Sequence, residues 1–434
     1  MSHNKRKKAA KNKLERKENI QVLISLELDQ WVRKMRCNGF NEKGMKLEQF
    51  EDVQVGILDE EMTFDGPGYE PYPDMKMEKY FYDGGKDREN RFHGSGSILF
   101  DDDDGSTMTG TWEHGIREGL FKIVTNRNGV RYIEGDYVND SMNGKLKIIF
   151  HDDTWMEGFF KDGILHGFCR YFDAKNRLTF VGMHREGKPV GTCWRIVGGG
   201  GCVVGRVDSD GKLSGPDIAY IYPDYKTALM GVFHNGEMVT AQHCSVSNVS
   251  TENGTIKVAE FSEPTGSVFK REFSSHDFVT LSPTLKDPYE TNTIQVKKSS
   301  VPGASEGTFA RSDLQKNTIL AFYNGIKLPP GYEEEDTWEE NAYKIFDPSN
   351  APDGALDILE KHRSTAYYSA SLAHKTNHSF LPNSQFLVYD HPRWGVVPCI
   401  ASTRHIEAGG EIFVRYGYDL DWCPDWYAEA WNNG

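Results

Sequence analysis

Three short segments in the last third of the chain hold the residue types that could do chemistry. They are Ala304-Ser305-Glu306-Gly307-Thr308-Phe309, the run from Asn377 to Asn383 (Asn-His-Ser-Phe-Leu-Pro-Asn), and Glu411-Ile412-Phe413-Val414-Arg415-Tyr416-Gly417-Tyr418. Each is modest by itself. Asn377-His378-Ser379 reads as a polar turn, and a single histidine is more often a satisfied hydrogen-bonder than a catalyst. The third segment reads as a buried strand that ends at a glycine turn. Together they offer tyrosine hydroxyls, an amide, an imidazole and glycine-exposed backbone rather than a carboxylate pair. Seven cysteines are scattered at 37, 169, 193, 202, 244, 399 and 423 with no Cys-x-x-Cys. That spacing indicates neither a zinc cluster nor a disulfide framework, so no metal and reduced thiols are expected. The four glycines Gly198 to Gly201 lack a strand–turn–helix context and read as a hairpin tip rather than a phosphate loop.

The elements that must position these segments differ along the chain. Residues 5 to 17 hold six lysines and two arginines, read either as a solvated tail or as a nuclear-localisation or nucleic-acid-contacting arm. Ile20, Ile24, Leu28, Trp31 and Met35 recur at helical spacing, which predicts a short helix. The middle of the chain is repetitive, with glycines at 110, 135, 158, 182, 205 and 231 separated by 23 to 26 residues. Three of the units read TGTWEHGIREG, EGFFKDGILHG and VGMHREGKPVG. An apolar-Gly-x-aromatic strand is followed by a glycine turn, so a ladder of hairpins is expected in which each unit buries its face against its neighbours. Beyond Pro288 short apolar runs alternate with loops, without helical periodicity until the end.

The chain has 434 residues and a formal net charge of −14. Length allows two or three domains and a sizeable core. An acidic chain of this kind is a poor general binder of phosphate backbones and favours a basic partner. Its apolar stretches fall short of a membrane-spanning helix, and no signal-peptide core is evident.

Taken in order, roughly 70 and 30 residues apart, the three segments resemble the SET domain of protein lysine methyltransferases, whose marks are a Gly-rich first strand, NHS-x-x-PN and E-[LI]-x-x-x-YG. The repeat units resemble MORN repeats, and DPYE (287–290), AFYNG (321–325), HPRWG (391–395) and RYGYD (415–419) extend the likeness to MORN-repeat SET methyltransferases, from about residue 90 to the end. The fold class implied is mainly β: an antiparallel MORN-repeat sheet followed by a β-rich, knotted SET domain with a short C-terminal helix. The expected division is a basic disordered tail (1–19), an N-terminal extension with a helix (20–90), the MORN sheet (91–245), a bridge (246–290), the SET domain (291–418) and a C-terminal helical segment (419–434).

The resemblance implies methyl transfer from S-adenosylmethionine to a lysine amine, with S-adenosylhomocysteine as product. It places Tyr416 closest to the transferred methyl and Tyr323 and Tyr418 along the lysine channel. Asn377 and His378 hold the donor, His378 through backbone groups. Ala304 and Glu306 contact the donor from the first strand, Lys375 lies near its carboxylate, and Trp426 covers its adenine. Lone Cys423 agrees with closure by a C-terminal helix instead of zinc. Phe386 stands where the resemblance to MORN-repeat SET methyltransferases implies a tyrosine, and this Tyr/Phe choice governs how many methyl groups the amine receives, so products beyond monomethyl-lysine are expected. Two further departures are Ser305, for a turn glycine, and Arg415, for a small residue. Strand alternation turns Arg415 outward from Tyr416. The expected partner is a lysine-containing basic protein segment, histone tail or non-histone, and the acidic cluster of Glu333, Glu334, Glu335, Asp336, Glu339 and Glu340 reads equally as a groove for it or as a solvated loop. No sequence-specific nucleic-acid contact and no membrane are expected, the chain is expected to be a monomer, and its location nuclear, cytoplasmic or both. Two alternatives remain at this point: a catalytically weak scaffold, and a lipid-binding repeat sheet that its charge suits poorly.

Overall fold

Alternation of apolar and polar side chains sets the first half of the molecule. The computed structural model describes residues 80–100, 105–126, 129–252, 255–272, 285–328, 343–346, 354–358, 360, 363, 371–416, 423 and 427–428. The basic tail, the helix expected over 20–35 and the acidic cluster at 333–340 lie outside these residues. The described chain is mostly strand with little helix, and it divides into two compact units, one from the N-terminus to Cys193 with Arg206–Gly211, the other formed by Trp194–Gly205 and Lys212–Gly434.

The first unit is an antiparallel ladder. Its strands are β1 (Tyr80–Lys86), β2 (Phe92–Phe100), β3 (Thr107–Glu113), β4 (Ile116–Arg117), β5 (Gly119–Val124), β6 (Val130–Val138), β7 (Ser141–Phe150), β8 (Trp155–Lys161), β9 (Ile164–Phe172) and β10 (Leu178–Arg185), followed by β11 (Lys188–Ile196). From β1 to β10 successive strands pair antiparallel, except that β4 pairs with β3 and β5 pairs with β3 across the two-residue β4. In β5 Phe121 and Ile123 are buried while Leu120 and Val124 face out, as a half-buried strand requires. The inward aromatics form a chain of contacts across the ladder. Phe92 packs edge-on to Trp112, Trp112 to Phe121 and Phe121 to Tyr137, with ring centroids 5.9, 4.9 and 5.2 Å apart.

The repeating glycine now has a steric reason. A Cβ at Gly110 would lie 2.5 Å from the Phe121 ring, and one at Gly135 would lie 2.7 Å from the Lys145 carbonyl oxygen. Each unit therefore leaves room beneath its neighbour's inward side chain. Several of the turns between strands are two-residue hairpins with both φ positive, such as Asp162-Gly163 (51° and 76°). That left-handed pair matches the twist of the flanking strands.

The second unit carries β12 (Cys202–Arg206), β13 (Gly215–Ile221), β14 (Thr227–His234), β15 (Glu237–Glu252), β16 (Thr255–Phe261) and β17 (Thr265–Lys270), again antiparallel. The stretch 246–290, read from sequence as a bridge, thus holds two complete strands. The Gly198–Gly201 run is a hairpin tip, closed by Val197 N–H donating to the Gly201 carbonyl at 2.9 Å.

A short helix, α1 (Pro288–Thr293), follows. It lies in a stretch where the sequence shows no helical periodicity. Its length, below two turns, gives no periodicity to read, yet its start is written plainly: Asp287 caps it and Pro288 opens it. After it come β18 (Ile294–Lys298), β19 (Glu306–Ala310), β20 (Ile319–Phe322), β21 (Ile326–Leu328), β22 (Ile345–Phe346), β23 (Ala355–Asp357), β24 (Asn377–His378), β25 (Ser384–His391), β26 (Gly395–Ser402) and β27 (Glu411–Val414). They form three small sheets, ordered β18-β19-β27-β24, β20-β26-β25 and β21-β23-β22. Of the C-terminal segment, Tyr427 and Ala428 are helical.

Candidate active site

The four-stranded sheet brings the three sequence segments together. β19, from the first, pairs antiparallel with β27, from the third. β24, from the second, runs parallel to β27, with Asn377 opposite Phe413 and His378 opposite Val414. Asn383 fastens the arrangement from the side: its Nδ2 donates to the Glu411 carbonyl and its Oδ1 accepts from Phe413 N–H, both at 2.8 Å.

Glu411 is the hub. Its carboxylate accepts from Ser299 Oγ at 2.6 Å and Ser300 N–H at 2.8 Å, with a further bond from Ser300 Oγ. It also lies 3.4 Å from Asn377 Nδ2, which donates at 2.8 Å to the Glu306 carbonyl. The same carboxylate explains a glycine: a Cβ on Gly307 would sit 2.2 Å from Glu411 Oε1. Sequence reasoning included Glu411 within a motif but assigned it no role.

Tyr416 leaves the end of β27 and folds back over β24. Its N–H donates to His378 Nδ1 at 3.1 Å, and its hydroxyl donates to the Thr376 carbonyl. An Nδ1 that accepts is deprotonated. Burial and, after it, the positive charge of Arg415 push the imidazole down to about 4, so the ring is neutral at physiological pH. Tyr427, which sequence reasoning missed in favour of Trp426, is buried and donates its hydroxyl to the His378 carbonyl. An aromatic residue beside a predicted one was the only signal for it. Tyr418 and Trp426 themselves lie outside the described residues.

Beside Tyr416 an apolar wall is built from three elements. Tyr323, at the end of β20, is 3% exposed and belongs to a buried cluster against which Phe386, Tyr343 and Tyr416 pack. Its hydroxyl donates to the Tyr343 carbonyl. Burial pushes the Tyr323 phenol well above its ordinary value, so it stays protonated. Phe386 sits in β25 opposite Ile400.

On the other side of Thr376, Lys375 ends a 3-10 turn (Ala373–Lys375), and its ammonium donates to Glu306 Oε2 at 2.6 Å. The lysine side chain is 7% exposed and the glutamate 36%, so the pair opens toward solvent on the acid's side. A cation and an anion side by side suit a zwitterion, the form of an amino-acid head group. Ala304 lies just ahead of β19, at the turn that precedes Glu306.

The two departures in sequence resolve. The left-handed residue of the first-strand turn is Gly303, with φ 86°, and Ser305 is absent from the positive-φ residues among those described. Serine there carries no such strain. Arg415 is exposed. No group of three or more metal-ligating side chains occurs among the described residues.

Comparison with known proteins accords with this geometry. Residues 306–417 match the SET domain, and residues 184–257 match the family described as Histone H3 K4-specific methyltransferase SET7 N-terminal. Histone-lysine N-methyltransferase SETD7 of Halocynthia roretzi is 34% identical over 360 residues, spanning 80% of this chain and 90% of the relative. Solved structures with similarity include ctPRC2 in an autoinhibited conformation bound to S-adenosylmethionine, at 18% identity and TM-score 0.24 over 33% of this chain and 17% of that one. Another is KRYPTONITE in complex with mCHH DNA, an H3(1-15) peptide and SAH, at 17% identity and TM-score 0.22 over 30% and 25%. With SET signatures gathered on one sheet, and a relative matched along nine-tenths of its length, this chain belongs to the SETD7 family of SET-domain protein-lysine methyltransferases.

Proposed function

We propose that the wall formed by Tyr323, Phe386 and Tyr416 receives the side chain of a substrate lysine, and that Glu306, Lys375, Asn377 and His378 hold the methyl donor across Thr376 from it. The chain is an S-adenosylmethionine-dependent protein-lysine methyltransferase, and its substrate is a lysine-containing protein. The observation that carries the assignment is Tyr416, whose backbone is held by His378 and whose hydroxyl is held by the Thr376 carbonyl.

S-adenosylmethionine supplies a methyl group on a positively charged sulfur. The chain's own residues do the rest. Lysine attacks only as the neutral amine, and its free pKa is about 10.4. Buried aromatic walls disfavour the ammonium and lower that value. Tyr416 and Tyr323 have each committed the hydroxyl proton to a carbonyl, so their oxygens present lone pairs. Such oxygens accept from an amine N–H or from the polarised C–H groups of a methyl cation equivalent. Alignment, more than acid–base chemistry, lowers the barrier. The Lys375–Glu306 pair matches the donor's charged amino-acid end, and neutral His378 adds no cation next to a cationic sulfur. Phe386 brings no hydroxyl to the wall, which leaves space for a methylated amine, so we extend the proposal to products beyond monomethyl-lysine. The acidic balance of the chain favours basic segments, histone tails among them.

The test is a basic peptide array with labelled donor, read for turnover and by mass spectrometry. Tyr416→Phe is expected to lower kcat by about 10- to 100-fold with donor binding retained, because one preorganised oxygen is lost. His378→Ala is expected to weaken donor binding. Donor binding with no methylated peptide would instead support a scaffold.

A further inference from the structure

Asp287-Pro288-Tyr289-Glu290 has the spacing of a capping box, in which a glutamate at the third helical position reaches back to the N-cap N–H. Half of that pattern is present: Asp287 Oδ1 accepts from Glu290 N–H at 3.0 Å. The other half is absent. The Glu290 side chain turns inward, is 0% exposed, and spends one oxygen on two distant amides. Oε1 accepts from Phe322 N–H at 3.0 Å and from Leu372 N–H at 2.8 Å.

Those two amides belong to the two halves of the proposed site. Phe322 is the last residue of β20 and directly precedes Tyr323. Leu372 caps the 3-10 turn that leads through Lys375 to Asn377 and His378. A second tie lies alongside, where Asn324 N–H donates to the fully buried Ser371 Oγ at 3.0 Å. Neither pairing is a sheet ladder; β20 pairs with β26 instead. Without Glu290, two buried amides would lose their acceptor, and the Asn324–Ser371 bond would be left to hold these segments together at that point.

We propose that Glu290 is a positioning residue for methyl transfer, its buried carboxyl clamping the tyrosine-bearing strand to the donor-binding segment. It touches neither substrate nor donor. Its second oxygen, Oε2, is buried without a hydrogen-bond partner among the described residues. Burial and, after it, the nearby Asp287 carboxylate raise the Glu290 carboxyl well above its ordinary range, which favours the neutral acid. A neutral acid has the shape of an amide, with Oε1 as acceptor in both. A buried carboxyl kept for helix capping alone would need no reach toward Phe322 or Leu372, and glutamine or aspartate would serve it alike.

That difference supplies the experiment, which rests on the site assignment above. Full-length wild type, Glu290→Gln and Glu290→Asp are assayed with a methylated-peptide readout at saturating donor and peptide, with thermal unfolding recorded on each. Glutamine keeps the double acceptor, and its kcat is expected within about threefold of wild type. Aspartate is one methylene short of the two amides. Its kcat is expected to fall about 100-fold in protein that still unfolds cooperatively, with peptide KM changed far less, since misplacement by about 1 Å costs that much. A folded Glu290→Asp with wild-type kcat overturns the proposal, as does a Glu290→Gln that loses activity while remaining folded. Should aspartate prevent folding, glutamine alone decides between retention and loss. Absence of methylation by wild type would instead overturn the site assignment, so the two failures are distinct.

Discussion

The hairpin ladder and the SET portion are both built from short antiparallel strands, yet they are held together in opposite ways. From β1 to β10 the ladder's strands pair with near neighbours in sequence through two- to six-residue turns or short loops, and its register is set by local turn chemistry. In the SET portion the decisive pairings join β19 to β27 and β24 to β27, bringing Thr308 opposite Ile412 and His378 opposite Val414. Such pairings cost loop-closure entropy before they return any contact energy. The lesson is that a neighbour-paired ladder spreads its stability over repeated small contacts. A woven site concentrates it in a few polar hubs.

The largest effect should follow from removing the chief hub. Glu411→Ala takes the acceptor from Ser299 and Ser300 and removes one contact of the Asn377 carboxamide. Charge-assisted bonds of this kind contribute roughly 1.5–3 kcal/mol each, so a stability loss of about 3 kcal/mol is expected. Because Asn377 also holds the Glu306 carbonyl, donor affinity should fall by about 100-fold or more. Calorimetric titration with S-adenosylmethionine and denaturant unfolding check both. Unchanged donor affinity would show that the hub is not part of the donor site.

The matching change in the ladder is smaller and differs in kind. Gly135→Ala would place a Cβ 2.4 Å from Leu146 Cγ and 2.7 Å from the Lys145 carbonyl oxygen, and the backbone contact cannot move as a side-chain end could. Overpacking of this sort costs about 1–3 kcal/mol. The kcat of the remaining folded protein should match wild type. Loss of kcat at saturating substrates, with the variant still folded, would break the contrast between the two regions.

The two regions were also unequally legible in the sequence. The ladder could be read because its glycines recur for steric reasons repeated at every unit: Gly110 under Phe121, Gly158 against Leu165, Gly182 against Cys193 Sγ. The SET site could be recognised from its motifs, but the physical roles inside them could not. That Lys375 and Glu306 are an ion pair depends on two residues 69 apart in sequence folding together, and no local pattern encodes it. α1 went unread because a six-residue helix has no period, although Asp287 and Pro288 announced its start. Glu290 was hidden by a familiar pattern, since a capping-box spacing looks complete without any long-range partner. Tyr427 shares its signal with Trp426, and only the hydroxyl on the His378 carbonyl tells them apart in role.

The smallest expected effect sharpens the same contrast with two histidines. His184 in the ladder and His378 in the site are both pushed down to about 4. For His184 burial is the whole cause, its ring packed against Cys169 Sγ at 3.1 Å. For His378 burial is joined by the cationic Arg415, which reaches the site only because β27 runs beside β24. Arg415→Ala should therefore raise the His378 titration midpoint and leave that of His184 in place, as read from imidazole NMR signals between pH 3.5 and 7. The sign for stability follows from proton uptake. Both native rings stay neutral below the unfolded value of about 6.5, so the unfolded chain gains protons first and each histidine costs stability as pH falls from about 6.5 toward 4. A higher native midpoint shortens that window, so the variant should lose less stability than wild type between pH 6.5 and 4.5. If both histidines moved together, or neither did, the Arg415 charge would not be acting through the woven sheet, and the two low values would share burial as their one cause.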